Sequence, residues 1–269
     1  MGPAGPRGAR GRGGKRGAGE GAGERLARRC EEARAEVEAS ACWGELRVAL
    51  GDAGSEFGGW GRLRRIVLLG LGSLEDGSVA CRHQFGLATL LARELASLGD
   101  PTTPPALMAH DPAFTELDWD VLAAGGWEKP PEKTAAASVS ASAAEGWWDS
   151  RGTPTLFFMP HCEAELYEGV LAANWNPVTL NNVAILGNSF EEYDLRWSMP
   201  QAMGKGQKRP QRLLSLLPHT REDRVPDRKY HVVSAFNSLS LHSFPREGLP
   251  AEGEAFWMDP GQSATEDRV

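Results

Sequence analysis

Four runs of consecutive apolar residues, each closed by small or polar residues, constrain this chain more than anything else in it. They are Arg65-Ile-Val-Leu-Leu-Gly-Leu-Gly-Ser73, Ala106-Leu-Met-Ala-His-Asp111, Thr155-Leu-Phe-Phe-Met159 and Asn182-Val-Ala-Ile-Leu186. A strand with one wet face alternates apolar and polar residues. An unbroken apolar run of four or five fits a strand buried on both faces, as in a parallel sheet covered by helices. Between the first two runs, Phe85, Ala88, Leu91, Leu95 and Leu98 form one stripe of a helix over residues 80–98, stopped by Gly99 and Pro101. Thr115 opens one or two helical turns ending at Ala124, and residues 163–173 read as a helix with Leu166, Val170 and Leu171 inward. Strand and helix alternating at this spacing predict an α/β sandwich with a mostly parallel sheet.

The flanks are different. Residues 1–29 hold eight Lys/Arg against Glu20 and Glu24, a local +6 within a chain of net charge −7, so the remainder carries −13. Residues 1–25 form a Gly/Arg-rich tail with too little apolar surface to offset chain entropy, read as disordered. Over residues 26–62, Leu26, Cys30, Ala33, Val37 and Ala41 recur at helical spacing to about Leu50, and residues 51–61 read as a glycine-rich linker. The main domain spans residues 63–247. Within it, residues 125–153 show no core pattern and read as a flexible insertion, while residues 231–233 and 240–244 read as edge strands. Residues 248–269 read as a frayed tail. No run of apolar residues is long enough to span a membrane. The acidic body lacks the basic face that nucleic-acid phosphates require, so no direct nucleic-acid binding is expected of it. Cys30, Cys42, Cys81 and Cys162 form no Cys-x-x-Cys pair and read as free thiols of a reducing compartment.

In an open parallel sheet the ligand crevice lies outside the carboxyl ends of the strands. The candidate site is therefore the set of strand exits: Gly70, Gly72 and Ser73; Asp111; His161 and Cys162; Asn188 and Ser189. Gly70 and Gly72 would let the backbone approach a nucleoside-type ligand at a helix N-terminus, with Asp111 as ribose partner. The third glycine of a dinucleotide loop would fall at Glu75, and Asp76 follows, so S-adenosylmethionine fits better than a pyrophosphate. The alternative is a tight turn that needs glycine geometry. His161 or Cys162 is a candidate axial haem ligand, and Cys162 beside a helix N-terminus a candidate nucleophile opposed by Glu163 and Glu165. Asn188 and Ser189 could hold a ligand or cap a helix. Glu191, Glu192 and Asp194 read as a solvated face. No metal site is visible in the spacing of ligands.

Taken together, Leu69-Gly-Leu-Gly-Ser73, Gln84, His110-Asp-Pro-Ala-Phe-Thr115, Pro154-Thr-Leu-Phe-Phe-Met-Pro-His-Cys162, Leu166-Tyr167, Asn174-Trp175 and Gly187-Asn-Ser-Phe190 resemble the sensitivity-to-red-light-reduced family over roughly residues 26–245. The resemblance implies a Rossmann-like three-layer sandwich in a regulatory protein of circadian rhythm and of haem biosynthesis, with protein partners of unknown identity, no established catalysis, and a cytoplasmic location with the nucleus as an alternative. A methyltransferase-like enzyme using S-adenosylmethionine and a haem-binding sensor remain the other readings. The chain departs from the family pattern after Ala124, where another strand is implied.

Overall fold

The computed structural model describes residues 20–99, 102–130, 148–150, 152–199, 208–225 and 230–258. The Gly/Arg-rich tail up to residue 19, the centre of the 125–153 insertion and the last part of the C-terminal tail lie outside these described residues. The helices are α1 (Ala22–Glu38), α2 (Ala41–Glu56), α3 (Val79–Ser97), α4 (Glu116–Ala124), α5 (Ala164–Ala173), α6 (Pro177–Leu180), α7 (Phe190–Ser198), α8 (Gln211–Leu216) and α9 (Val233–Phe236). The strands are β1 (Arg65–Leu69), β2 (Ala106–His110), β3 (Thr155–Met159), β4 (Val183–Asn188), β5 (Arg221–Arg224) and β6 (Leu239–Ser243).

The strands form one open sheet in the order β2-β1-β3-β4-β6-β5. The first four, which are the four apolar runs, pair in parallel, with Arg65 opposite both Ala106 and Thr155, and Thr155 opposite Val183. β6 then pairs antiparallel with β4, and β5 antiparallel with β6. The sheet is thus mixed, not mostly parallel as expected. β6 is also no edge strand: all five of its residues are buried, including Ser240, His242 and Ser243. The edges are β2, an apolar run expected to be buried on both faces but with only Ala109 buried, and β5, Arg-Glu-Asp-Arg, which has no apolar residue for a hydropathy pattern to register. Residues 231–233 lead into α9 rather than forming a strand.

Both faces of the sheet are covered, as continuous apolar strands require. Ile66, Leu68, Leu156, Phe158, Ala184 and Leu186 pack with α1, α2 and α3 on one face. Val67, Leu69, Phe157, Met159, Val183 and Ile185 pack with α5, α7 and α8 on the other. α1 buries the predicted Leu26, Cys30, Ala33 and Val37. The single helix expected to Leu50 is two helices, because the Ser40 hydroxyl donates to Val37 O (2.6 Å) and accepts from Trp43 N (3.2 Å), ending one and starting the other. α2 continues through the expected linker to Glu56, and Gly54 there seats Trp60, whose Nε1 donates to Leu50 O at 2.6 Å. Beyond β2, where the family pattern implies another strand, a parallel bridge joins Met108 to Glu128, with the neighbouring Trp127 buried beside Phe85.

α1 lies close enough to α3 that backbones nearly touch: a Cβ on Gly86 would sit 2.8 Å from Arg34 Cα. Gly86→Ala is therefore expected to lower stability by about 1–3 kcal/mol, the range for forcing atoms into a filled interface. Urea unfolding measures this, and an unchanged midpoint would refute the close seating of α1.

Candidate functional site

The strand order reverses between β1 and β3, so the crevice of such a sheet should open at the exits of those two strands. Here that place is filled. Gly70 has φ +66°, and a Cβ on it would lie 2.5 Å from Cys162 Sγ and 3.2 Å from the Leu166 side chain. Cys162 is buried and its thiol donates to Leu69 O at 3.4 Å. Burial, reinforced by the charges of Asp111 and Glu163, pushes this thiol far above the ordinary cysteine range, so it is neither thiolate nor ready nucleophile.

The backbone donors of the glycine loop are likewise occupied. Gly72 N, at φ +78°, donates to Asp111 Oδ2 at 2.7 Å, and Ala113 N to Asp111 Oδ1 at 2.8 Å. Leu74 N and Glu75 N both donate to Oδ1 of the fully buried Asp118 (3.0 and 2.9 Å), and Asp76 N donates to Ser73 Oγ (3.0 Å). A loop that could cradle an anion instead holds the chain's own carboxylates, which satisfy the same donors.

The open space lies on the far side of β3, over the exit of β4. His161, Asn188, Ser189, Glu192, Tyr193, Arg196, Asn237 and Ser238 line a polar cleft of about 80 Å³. That is room for two or three waters or a small polar group, against the ~300–1,000 Å³ typical of cofactor-sized pockets. Asn188 organises the floor: its Oδ1 accepts from His161 N (2.7 Å), and its Nδ2 donates to Tyr193 Oη (3.1 Å) and Cys162 O (3.2 Å). Tyr193 Oη in turn donates to Cys162 O at 2.7 Å. Among the described residues, the two non-glycine residues with positive φ are His161 (+55°) and Ser238 (+62°), and both line this cleft. Conformations that side chains disfavour persist where the surroundings over-determine them, and they concentrate at functional sites. Loss of hydration within the fold holds the His161 imidazole below the ordinary histidine value, with hydrogen bonding to the backbone of Ala235 and Ser234 acting the other way. The Arg196 guanidinium stands 5.5 Å from the Tyr193 ring centre, and Glu192 takes hydrogen bonds from Arg224 and from the Ser238 hydroxyl.

Beneath the cleft runs a buried polar network. Ser189 is the N-cap of α7, its Oγ accepting from Glu192 N at 3.2 Å. Glu222 of β5 reaches the same helix end, where its Oε2 accepts from Phe190 N (3.1 Å) and Glu191 N (3.2 Å). Its carboxylate lies 3.5 Å from Nε2 of the fully buried His242, whose ring stacks on Phe190 with centres 4.0 Å apart. Burial works to raise the Glu222 pKa, but the closeness of His242, with Ser189 and Ser240 nearby, holds it down to about 2.

The structure thus divides the predicted residues. His161, Asn188 and Ser189 share the cleft, with Ser189 capping a helix at its wall. Gly70 and Cys162 pack on each other, Gly72 and Asp111 bond to each other, and Ser73 closes the turn. Glu192, read as solvated, is a wall of the cleft. Tyr193, Arg196, Asn237 and Ser238 were not singled out. For Tyr193 and Arg196 the signal was helical spacing from Ser189; Asn237 and Ser238 are brought in only by the antiparallel return of β6.

Comparison with known proteins gives a consistent set. The SRR1 domain family matches residues 47–243. The chain is 31% identical over 198 residues to "Protein SENSITIVITY TO RED LIGHT REDUCED 1" of Arabidopsis thaliana, covering 72% of this chain and 63% of that protein. It is 35% identical over 105 residues to an "SRR1-like protein" of Drosophila melanogaster, covering 39% of this chain and 34% of that protein. A mouse "SRR1-like protein" is 34% identical over 87 residues, 32% of this chain and 31% of the relative. In each match the chain spans less than two thirds of the relative's length. No solved structure matches.

The Glu222 network makes an acid-stability prediction. Its folded pKa is depressed from 4.5 to about 2. Its contribution, roughly 3 kcal/mol, is therefore present above the unfolded value and lost as pH falls through the folded one. Urea midpoints of wild type and Glu222→Gln should be well separated near neutrality and converge towards pH about 2. A separation that stays constant across that window would disprove the role given to this carboxylate.

Proposed function

This chain belongs to the SRR1 domain family, and from that premise we propose that it is a regulatory protein that acts by binding, in clock-gene expression and in the regulation of haem biosynthesis. The cleft at His161 and Asn188 is its recognition site, for one small polar group of a ligand or partner protein. The observation that carries this reading is the placement of both strained non-glycine residues, His161 and Ser238, around one polar cleft. A role in a light- or clock-linked response is supported by the name of the Arabidopsis relative, which speaks of reduced sensitivity to red light. The four parallel strands, with their order reversing between β1 and β3, are read as the Rossmann-like part of the sheet. The working location is the cytoplasm, with the nucleus as a second site of action.

The methyltransferase-like reading would use Gly70, Gly72 and Asp111 for S-adenosylmethionine. It requires Asp111 to release Gly72 N and Cys162 to vacate the switch point, both of which cost hydrogen bonds or packing. A haem sensor would need His161 or Cys162 to reach iron. Cys162 is buried, and the cleft at His161 is far smaller than a porphyrin.

Two measurements separate these readings. Calorimetric titration with S-adenosylmethionine should give no saturable heat, and hemin should give no Soret shift that His161→Ala or Cys162→Ala removes. Tight S-adenosylmethionine binding lost in Asp111→Ala would establish the enzyme reading instead. In cells carrying a clock-gene reporter, depletion of the protein should alter rhythm, with rescue by wild type and not by the double variant His161→Ala/Arg196→Ala. Normal rhythm after complete depletion, or full rescue by that variant, would defeat the proposal.

A further inference from the structure

Away from the strand exits, three residues from separate parts of the chain converge: Glu36 of α1, His83 of α3 and His231, just before α9. Glu36 Oε2 lies 3.0 Å from His231 Nε2 and 4.0 Å from His83 Nε2. One ligand atom from each of the three falls within 4.8 Å of the others. The two imidazole rings are nearly perpendicular, with centres 5.5 Å apart.

We propose that Glu36, His83 and His231 form a Zn²⁺ site. Two imidazole nitrogens and one carboxylate oxygen are a donor set suited to a borderline divalent cation, whereas Ca²⁺ and Mg²⁺ favour oxygen ligands throughout. Ligand atoms around tetrahedral zinc, at bonds of about 2.0–2.1 Å, stand roughly 3.4 Å apart. The observed spacings need a shift of about an ångström to reach this, and the side chains of Glu36 (52% exposed) and His231 (61%) are free to make it. His83 is the fixed point. It is buried, and its other nitrogen, Nδ1, is 2.7 Å from the Tyr230 hydroxyl. A proton on Nδ1 directed at that hydroxyl leaves the Nε2 lone pair facing Glu36, the arrangement by which a second residue orients a metal-binding histidine. Three protein ligands leave one tetrahedral position open to water or to a group from a partner.

The ion would tie α1 to α3 and to the segment entering α9. Glu36 lies ahead of the matched family segment, residues 47–243, while both histidines lie inside it. The site exists only because the N-terminal helix packs on the domain.

The test uses the untagged 269-residue chain, stripped with chelator and kept reduced. Titration with Zn²⁺ should show one ion bound per chain and a rise in Tm. Glu36→Gln and His231→Ala, both at exposed positions and checked for folding by circular dichroism, should each abolish the binding. Tyr230→Phe should weaken it roughly 10–100-fold. Substituted Co²⁺ should give tetrahedral ligand-field bands without thiolate charge transfer. Absence of stoichiometric binding, unchanged binding in both ligand variants, or a thiolate band placing the ion on cysteines would each overturn the proposal.

Discussion

Backbone donors at the ends of strands buried on both faces have little water to turn to, and how this chain satisfies them governs the rest of the structure. It does so with its own carboxylate and amide side chains, one exit at a time. Asp111 takes Gly72 N and Asp118 takes Leu74 N and Glu75 N after β1. Asn188 takes His161 N after β3. Glu222 takes Phe190 N and Glu191 N after β4. Elsewhere Asn174 takes Ser150 N and Glu168 takes Leu213 N. Each acceptor comes from a different element than its donors, so each bond also fixes where one connection lies against another.

This solution determines where function can reside. A helix N-terminus with unpaired amides attracts phosphate or carboxylate ligands. Here the attraction is met internally, and the switch-point crevice between β1 and β3 is closed by Cys162 and Leu166. Part of the acidity of the body is thereby explained: Asp111, Asp118 and Glu222 are structural acceptors, not a uniformly solvated negative surface. At the strand exits, what stays open is the cleft where β4 meets the antiparallel return of β6, and there the backbone is held in unfavourable conformations at His161 and Ser238.

The sequence revealed the parallel half of the sheet because apolar burial leaves a plain trace in residue order. It hid much of the other half for the same reason. β5 is wholly charged and leaves no such trace, while β6 was legible as a strand over 240–244 but not as an interior one, because Ser240, His242 and Ser243 are polar and nonetheless buried. The candidate site was legible to the same extent. Residues directly after apolar strands could be found, and His161, Asn188 and Ser189 do share one cleft. Whether a strand-end residue faces open space or is consumed by a neighbour depends on partners far away in sequence, such as Asp111 for Gly72. Asn237 and Ser238 enter the cleft through long-range pairing, and a positive φ at serine or histidine has no compositional mark.

The first turns of α3 show most sharply why polarity misleads. Arg82, His83 and Gln84 are a run of three polar residues, yet all three are buried. Arg82 Nη1 donates to Leu74 O at 2.8 Å and so holds the glycine loop. His83 meets Tyr230, and Gln84 Nε2 donates to Ala235 O at 3.0 Å, in the segment that backs His161. Two residues on, Gly86 admits the backbone of α1. One stretch of helix thus joins the filled switch point, the wall of the open cleft and the N-terminal helix. Burying three polar side chains is tolerable because each has a partner from a different segment. Those same pairings make the positions of the loop, the cleft wall and α1 mutually dependent, so an ion or partner that fixes His83 against Glu36 would bear on all three.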